Sequence, residues 1–404
     1  MDLIKGKSFY LANVLTRQYP YLSEDRQTDV LIIGGGVTGA LALWNFTRLG
    51  IPCILVDGGR FGLRSTAITT ALLQYELEDN YDELTRLMPV EEVREAYLIG
   101  CDALKEVEDL LAQLGNHCEY SKRDTLLLSQ TPKDAAALYK EYENRLSLGL
   151  DVTFYDAKSN PTPLNFNAGV YSRQGGAQLN PCLFAAQLLE ASERKGARLY
   201  ENTRIRALAF FGDSVTAEAE YGYTIKSKAV VLATGYETPL PGTRNFCTKQ
   251  ITYNIAAQPP GNTGSLELMA RDNKTNYHYL RGLPDGRVVF GGRDTKLSKK
   301  GIDAATSERK YARLLEDLNG WYRDGTPPAR LSTAFSGVFG VTPDNLGVIG
   351  ADSTRHNLMY CLGYGANGIL FAAIGAKMLA ERYCGHPQPR LRLFDPFRPA
   401  LAGL

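Results

Sequence analysis

The segment TDVLIIGGGVTGALALWNFTRLGIPCILVDGG, residues 28–59, constrains this chain more than any other stretch. Asp29–Ile33 reads as a buried strand, and Gly34, Gly36 and Gly39 form a GxGxxG turn. Thr38–Leu49 reads as a helix stopped by Gly50 and Pro52, and Pro52–Val56 as a second short strand. Asp57 follows, eighteen positions after Gly39. Each residue type has a physical task where a pyrophosphate meets a helix N-terminus. Gly34 permits the tight turn, Gly36 lets phosphate touch the backbone, and Gly39 lets the helix pack closely on the strand. Val37 and Thr38 open the helix that faces the phosphates, and Asp57 accepts hydrogen bonds from a ribose while disfavouring a 2′-phosphate. The glycines alone are a weak signal. The strand–turn–helix–strand–acid frame makes them a dinucleotide site.

That frame does not choose between NAD and FAD, and the rest of the chain bears on the choice. A single NAD-binding domain would continue helix–strand–helix directly after Asp57. Here residues 58–70, GGRFGLRSTAITT, are irregular. Gly58 follows the acid, and Arg64, Ser65 and Thr66 precede a helix start, placed to hydrogen-bond a second phosphate or the flavin side of a long cofactor. Far downstream, LNPCLFAAQLLEASERKGARLYENT reads as a helix with Asn180 as N-cap and Pro181 in its first turn, leading into a strand. RIRALAF, SVTAEAE and YTIKS then read as an antiparallel meander that ends in the apolar strand KAVVLATG.

Taken together, the chain resembles the FAD-dependent oxidoreductases of the D-amino-acid oxidase, glycine oxidase and sarcosine oxidase superfamily. The residues that carry the resemblance are DVLIIGGGVTGALALWNFTRLGIPCILVDGG, GGAQLNPCLFAAQLLEASERKGARLYENT, KAVVLATGYE, YHYLRGLPDGRVVFGGRD, FSGVFGVTPDNLGVIG and CLGYGANGILFAAIGAKMLAE, in the family's order across nearly the whole chain. The resemblance implies an α/β chain with an α+β substrate domain. A Rossmann-like FAD domain is expected over residues 28–85, 165–240 and 335–404, and an antiparallel-sheet substrate domain over 86–164 and 241–334. It adds Ala233, Thr234, Gly235 and Gly337 to the expected cofactor contacts. In LGYGANGIL, the residues Gly363, Gly365, Ala366, Asn367, Gly368 and Ile369 are expected to bring a helix N-terminus to the flavin's pyrimidine edge, with Asn367 as N-cap.

FSGVFG lacks the cysteine, and FGLRSTAITT the histidine, that tether flavin in some relatives, so non-covalent FAD is expected. Two residues depart from the family's pattern. Asp57 stands where many relatives carry glutamate, and GLRSTAITT lacks the glycines many have beside the flavin. The implied reaction is hydride transfer from the C–N carbon of a small amine or amino acid to flavin N5, with oxygen or an electron carrier as acceptor. The alternatives are a flavin dehydrogenase of a hydroxy acid or polyol phosphate, and a flavoprotein acting on modified tRNA.

On the substrate side, NYHYLRGLPDGRVVFGGRD reads as a β-hairpin with LPDG at its turn. Period two places Tyr277, Tyr279 and Arg281 on one face, where the arginine's planar fork suits a carboxylate. CTKQITYNIAAQP reads as another strand, with Lys249, Ile251 and Tyr253 on one face and Gln250 and Thr252 on the other. Lys249 and Arg293 are candidates for placing positive charge beside a reduced ring. Glu76, Glu78 and Asp79 read as a solvated helix face.

Composition narrows the class of partner. With 45 basic and 44 acidic residues among 404, the charge gives no support for a nucleic acid as the main partner. Seven scattered cysteines, with no CxxC pair, suggest reduced thiols in a cytoplasmic protein. The four histidines show no metal spacing, so no metal is expected. No apolar run has the length of a membrane span. Residues 1–27 lack a signal peptide's apolar stretch and read as an N-terminal arm. The oligomeric state is not legible.

Overall fold

Strands buried on both faces must be apolar throughout, and the first dinucleotide strand shows this. Residues Val30–Ile33 and Cys53–Val56 are all buried. In the computed structural model, which describes residues 3–12, 17–237, 244–262, 266–299 and 301–403, they sit in the middle of an eight-stranded sheet. Its path runs Val348–Ala351, Leu358–Leu362, Thr224–Leu232, Arg26–Ile33, Cys53–Val56, Arg198–Tyr200. The last five strands are mutually parallel. The helices Val37–Arg48, Pro181–Arg194 and Gly368–Tyr383 pack together and share the core of this sheet. Asn180 caps the second helix, its side chain accepting from the amides of Cys182 at 3.2 Å and Leu183 at 3.3 Å. The expected meander forms from Ile205–Phe211, Ser214–Ala219 and Thr224–Leu232. Its third leg continues without a break into the central parallel strand, so YTIKS and KAVVL are one element.

A second sheet of ten strands carries the other half. Its path is Ile4–Gly6, Arg330–Val341, Thr248–Gln258, Val288–Lys296, Tyr279–Gly282, Leu268–Asp272, Ser121–Ser129, Ala168–Gln178, Leu72–Gln74, with Val152–Asp156 beside Ala168–Gln178. All pairings are antiparallel except that of Leu268–Asp272 with Ser121–Ser129. The LPDG hairpin is present, closed by Leu283 N–H to Arg287 O at 2.7 Å. Strands Leu72–Gln74 and Ala168–Gln178 lie in segments expected with the dinucleotide half, yet hydrogen-bond within this sheet. The domain limits given above stand as a proposal, and the one at 240/241 lies outside the described residues.

Residues 76–79 are neither helical nor a solvated face, which corrects the sequence reading. Glu76 is 1% exposed and binds Arg145 Nη1 at 2.9 Å, Arg271 Nε at 3.4 Å and the Thr125 hydroxyl at 2.6 Å. Burial alone would raise its pKa, but the two guanidiniums outweigh that and hold it below the ordinary carboxylate value. Arg145 also binds Glu141 at 2.7 Å, and Glu141 accepts from Tyr97 and from the Tyr81 amide. The spacing of acids in QYELED suggested solvent because their two arginines lie 69 and 195 positions away in sequence.

A second buried set joins the larger sheet to helix Ala304–Trp321. His278 Nδ1 meets Asp272 at 3.0 Å and Nε2 meets Asp317 at 3.1 Å, with its ring stacked on Phe290. Burial pulls the His278 pKa down, but hydrogen bonds and charges from both carboxylates raise it above 6.5.

Two outcomes follow. Arg145→Met leaves Glu76 and Glu141 short of a buried partner and is expected to lower unfolding stability by ~3–5 kcal/mol in urea titration; a loss below ~1 kcal/mol would contradict the role given to this cluster. For His278, the folded state holds the proton more tightly than the unfolded one, so its contribution is full below pH 6.5 and is lost as pH rises through the folded value. The stability difference between the wild type and His278→Gln should therefore shrink with rising pH across that window, read by urea unfolding at several pH values. A difference that grows would show the opposite charge state.

Candidate active site

Glycines bring two helix N-termini to one cavity. Gly34 has φ +112°, and a Cβ there would stand 2.4 Å from Ala233 O, so the first turn passes directly against the neighbouring strand end. A Cβ at Gly39 would stand 1.7 Å from Gly34 O. Gly39 thus serves helix–strand packing and does not line the cavity. Near the chain end, Gly363 and Gly368 do the same for helix Gly368–Tyr383: a Cβ on Gly363 would stand 2.0 Å from Gly368 O. The first obstacle a side chain meets at either position is protein backbone. Gly365 has φ +69° and faces Glu78 Oε1.

The cavity between these helix starts encloses about 2020 Å³, counting the part open to solvent. At one end lie Gly34, Gly36, Val37, Thr38, Asp57, Gly58, Arg64, Ser65 and Thr66. Asp57 is fixed by two backbone amides, Gly35 N to Oδ2 at 2.8 Å and Gly59 N to Oδ1 at 2.7 Å. A carboxylate so held keeps further lone pairs for a ribose. Thr66 Oγ1 accepts from Val37 N at 3.0 Å, so the short helix Ser65–Ile68 braces the start of Val37–Arg48. Arg64 pairs with Glu237. Ala233, Thr234 and Gly235 form the floor, and the buried Thr234 hydroxyl has no partner among the described residues. Gly363, Gly365, Ala366, Gly368 and Ile369 line the far part.

These residues suit FAD. Two helix N-termini supply partial positive charge, an acid sits at ribose distance in sequence, and a buried hydroxyl awaits a partner. The cavity then continues to a polar end made by Thr252, Arg271, Tyr277, Tyr279 and Asp294.

Of the other expected residues, Tyr277 and Tyr279 line the cavity and the rest do not. Gly337 lets Ile68 pack on its strand; a Cβ would stand 1.8 Å from Ile68 Cδ1. Asn367 does not cap its helix through its side chain. Its Nδ2 donates to Glu76 O at 2.6 Å instead. Tyr279 lines the cavity, hydrogen-bonding Thr252 at 2.6 Å and Asn254 at 2.9 Å. Arg281, on the same face, is buried against Thr70 O at 2.6 Å and Tyr10 of the N-terminal arm at 2.6 Å. Lys249 stacks over Tyr236, and Tyr253 turns away to Thr295 and Tyr311. Arg293 is bound to Asp317 on the helix side.

Lys249 and Tyr253 share the face of their strand opposite to Thr252, which lines the cavity, whereas Arg293 was displaced by one irregularity. Ile251 pairs with Thr295 and Tyr253 with Gly292, so Thr252 alone opposes Arg293 and Asp294. Arg293 takes φ +56° to make this bulge. Two residues against one reverses the alternation and sends Asp294 into the cavity while Arg293 leaves it. Burial pushes Asp294 up to about 7, helped by Glu78 and opposed by the Thr252 hydrogen bond and the charges of Lys310 and His278. Burial likewise raises Tyr277 and Tyr279 well above 10, so both are neutral phenols. Tyr277 lines the cavity beside Tyr279, as the period-two reading of its strand placed it, but Thr252, Asp294 and Arg271 were absent from the expected site; for Asp294, GGRD carried the sequence signal, a glycine pair before an acid.

Known proteins give the same picture. The family model described as FAD dependent oxidoreductase matches residues 29–382. A putative Rieske 2Fe-2S iron-sulfur protein of Bacillus subtilis is 28% identical over 46% of this chain and 36% of its own length. The tRNA 5-methylaminomethyl-2-thiouridine biosynthesis bifunctional protein MnmC of Burkholderia orbicola is 27% identical over 72% of this chain and 48% of its own. The chain thus spans less than half the length of either relative. Among solved structures, glycine oxidase from Geobacillus kaustophilus superposes with a TM-score of 0.79 at 20% identity, covering 92% of this chain and 99% of that one. With a cavity built for the cofactor and a family match over most of its length, the chain belongs to the D-amino-acid-oxidase-type FAD-dependent oxidoreductases, with FAD as its cofactor.

Proposed function

We propose that this protein oxidises a small amine or amino acid at a C–N carbon. The observation that carries the reading is the continuity of the cavity from the dinucleotide turn to an end lined by hydroxyls and a carboxylate, which are acceptors suited to amine N–H groups. The likeness to glycine oxidase, as its title names it, agrees with this. The backbone of Gly34–Thr38 would hold the pyrophosphate, Asp57 the ribose, and Gly363–Ile369 the ring end. Bound FAD supplies the two-electron hydride-accepting chemistry. The chain's own part is to orient the substrate, exclude water and provide acceptors for amine protons. No cysteine or histidine lines the cavity among the described residues, which supports non-covalent attachment. Seven free cysteines support a cytoplasmic setting. The electron acceptor is oxygen or a carrier.

A second reading, action on modified tRNA, draws on the MnmC likeness. Tight binding of tRNA that weakens steeply with salt would favour it.

The direct test is anaerobic reduction of the bound flavin by a panel of amines, amino acids and hydroxy acids. Bleaching by amines or amino acids is expected, and bleaching by hydroxy compounds alone would overturn the reading. The cofactor site has its own test. Gly365→Val forces a branched side chain into the left-handed region at φ +69° and against Glu78 Oε1 at 3.1 Å. FAD affinity, measured by equilibrium dialysis, is expected to fall at least ~10-fold, the equivalent of about 1.4 kcal/mol. Unchanged affinity would remove Gly365 from the cofactor site.

A further inference from the structure

The polar end of the cavity has an uneven supply of charge. A substrate carboxylate needs a guanidinium or ammonium with donors to spare. Arg281 and Arg293 are committed to Thr70, Tyr10 and Asp317 and do not line the cavity. Arg271 does line it, but its three nitrogens are directed at Glu76, Glu78 O and Asn80. The remaining arginines of the lining, Arg60, Arg64 and Arg204, belong to the Asp57 end, where a Cβ on Gly58 or Gly59 would meet Arg204 or Arg64 and Arg60 pairs with Glu201. Negative charge is the reverse case. Asp294 Oδ1 is buried and has no hydrogen-bond partner among the described residues. Lys310, whose charge acts on it, donates to Arg293 O at 2.9 Å and lies over Tyr253 on the other face.

We infer that the substrate is recognised by its cationic amine, held by Asp294 Oδ1 beside the rings of Tyr277 and Tyr279, and not by an α-carboxylate. This deepens the amine-or-amino-acid reading and rests on it. Three independent features converge. The bulge at Thr252 places Asp294 in the cavity at the cost of a left-handed Arg293. The two tyrosine rings, 5.9 Å apart, offer π faces that attract an ammonium. The carboxylate that awaits a partner is the group whose burial is costly until a cation arrives. The same oxygen solves a chemical need: an amine gives up hydride only with its lone pair free. The ammonium N–H bond breaks, the proton passes to Asp294 Oδ1, and the electron pair stays on nitrogen, so that ammonium plus carboxylate become amine plus carboxylic acid. With its pKa raised to about 7, Asp294 is poised to take that proton and return it to water.

The test uses holoenzyme and its Asp294→Asn and Asp294→Glu variants, with butylamine, putrescine, glycine and D-alanine as probes. Binding of butylamine and putrescine to dithionite-reduced holoenzyme is measured by calorimetry, where no turnover occurs. Anaerobic flavin bleaching is followed in parallel. The wild type is expected to bind and be bleached by the two amines in preference to the amino acids. Asp294→Asn should weaken amine binding on the order of 30-fold or more, and Asp294→Glu should restore part of it at equal FAD content. Amine binding unchanged in Asp294→Asn would overturn the inference. So would a wild type bleached by glycine or D-alanine and by neither amine, although the amine-or-amino-acid reading would then stand. If Asp294→Asn loses its FAD, the amine affinity of Asp294→Glu decides: weaker than wild type supports the inference, equal to wild type overturns it.

Discussion

The buried carboxylate of Glu76 is the point from which most of the site is held. It sits between two guanidiniums, Arg145 from helix Ala135–Ser147 and Arg271 from strand Leu268–Asp272. Taking an ion out of water costs several kcal/mol even after relaxation, so none of these groups stays buried without the others. The backbone at Glu76 also receives Asn367, at the start of helix Gly368–Tyr383, and Glu78 accepts from the Ala366 amide at 2.7 Å. One short irregular segment therefore ties the larger sheet to the start of helix Gly368–Tyr383. It also neutralises Arg271, which sets the charge of the substrate end.

Above this anchor, the cavity owes its shape to close approaches that only glycine permits. Gly39 on Gly34 and Gly368 on Gly363 let two helices begin against strand ends beside the same cavity. The approach is between backbones first. On the proposed placement, helices so seated would aim their positive ends at the cofactor.

Much of this was readable in advance where the signal is local. The turn at Gly34–Gly39, Asp57, the Asn180 cap, the meander and the LPDG hairpin each depend on residues close in sequence, and each is present. What was not legible depends on partners far along the chain. Glu76 resembles a surface acid until Arg145 and Arg271 are brought to it. Arg281 resembles a carboxylate clamp until Tyr10 of the arm closes on it. On Thr248–Gln258 the alternation holds but the face of Thr252, not that of Lys249 and Tyr253, meets the cavity, and on Val288–Lys296 a single bulge turns Asp294 in and Arg293 out; strand periodicity carries no trace of either. Hence most residues expected around the dinucleotide turn, a locally built element, lie along one cavity, whereas Asp294 and Thr252 emerged only in three dimensions.

The account stands on FAD lying in this cavity, held without a covalent bond. The most direct measurement is the absorption spectrum of the purified protein before and after acid precipitation. The account predicts flavin equimolar with the chain, released intact as FAD into the supernatant. Protein that carries no flavin after reconstitution with FAD, or flavin that stays with the precipitated chain, would contradict it.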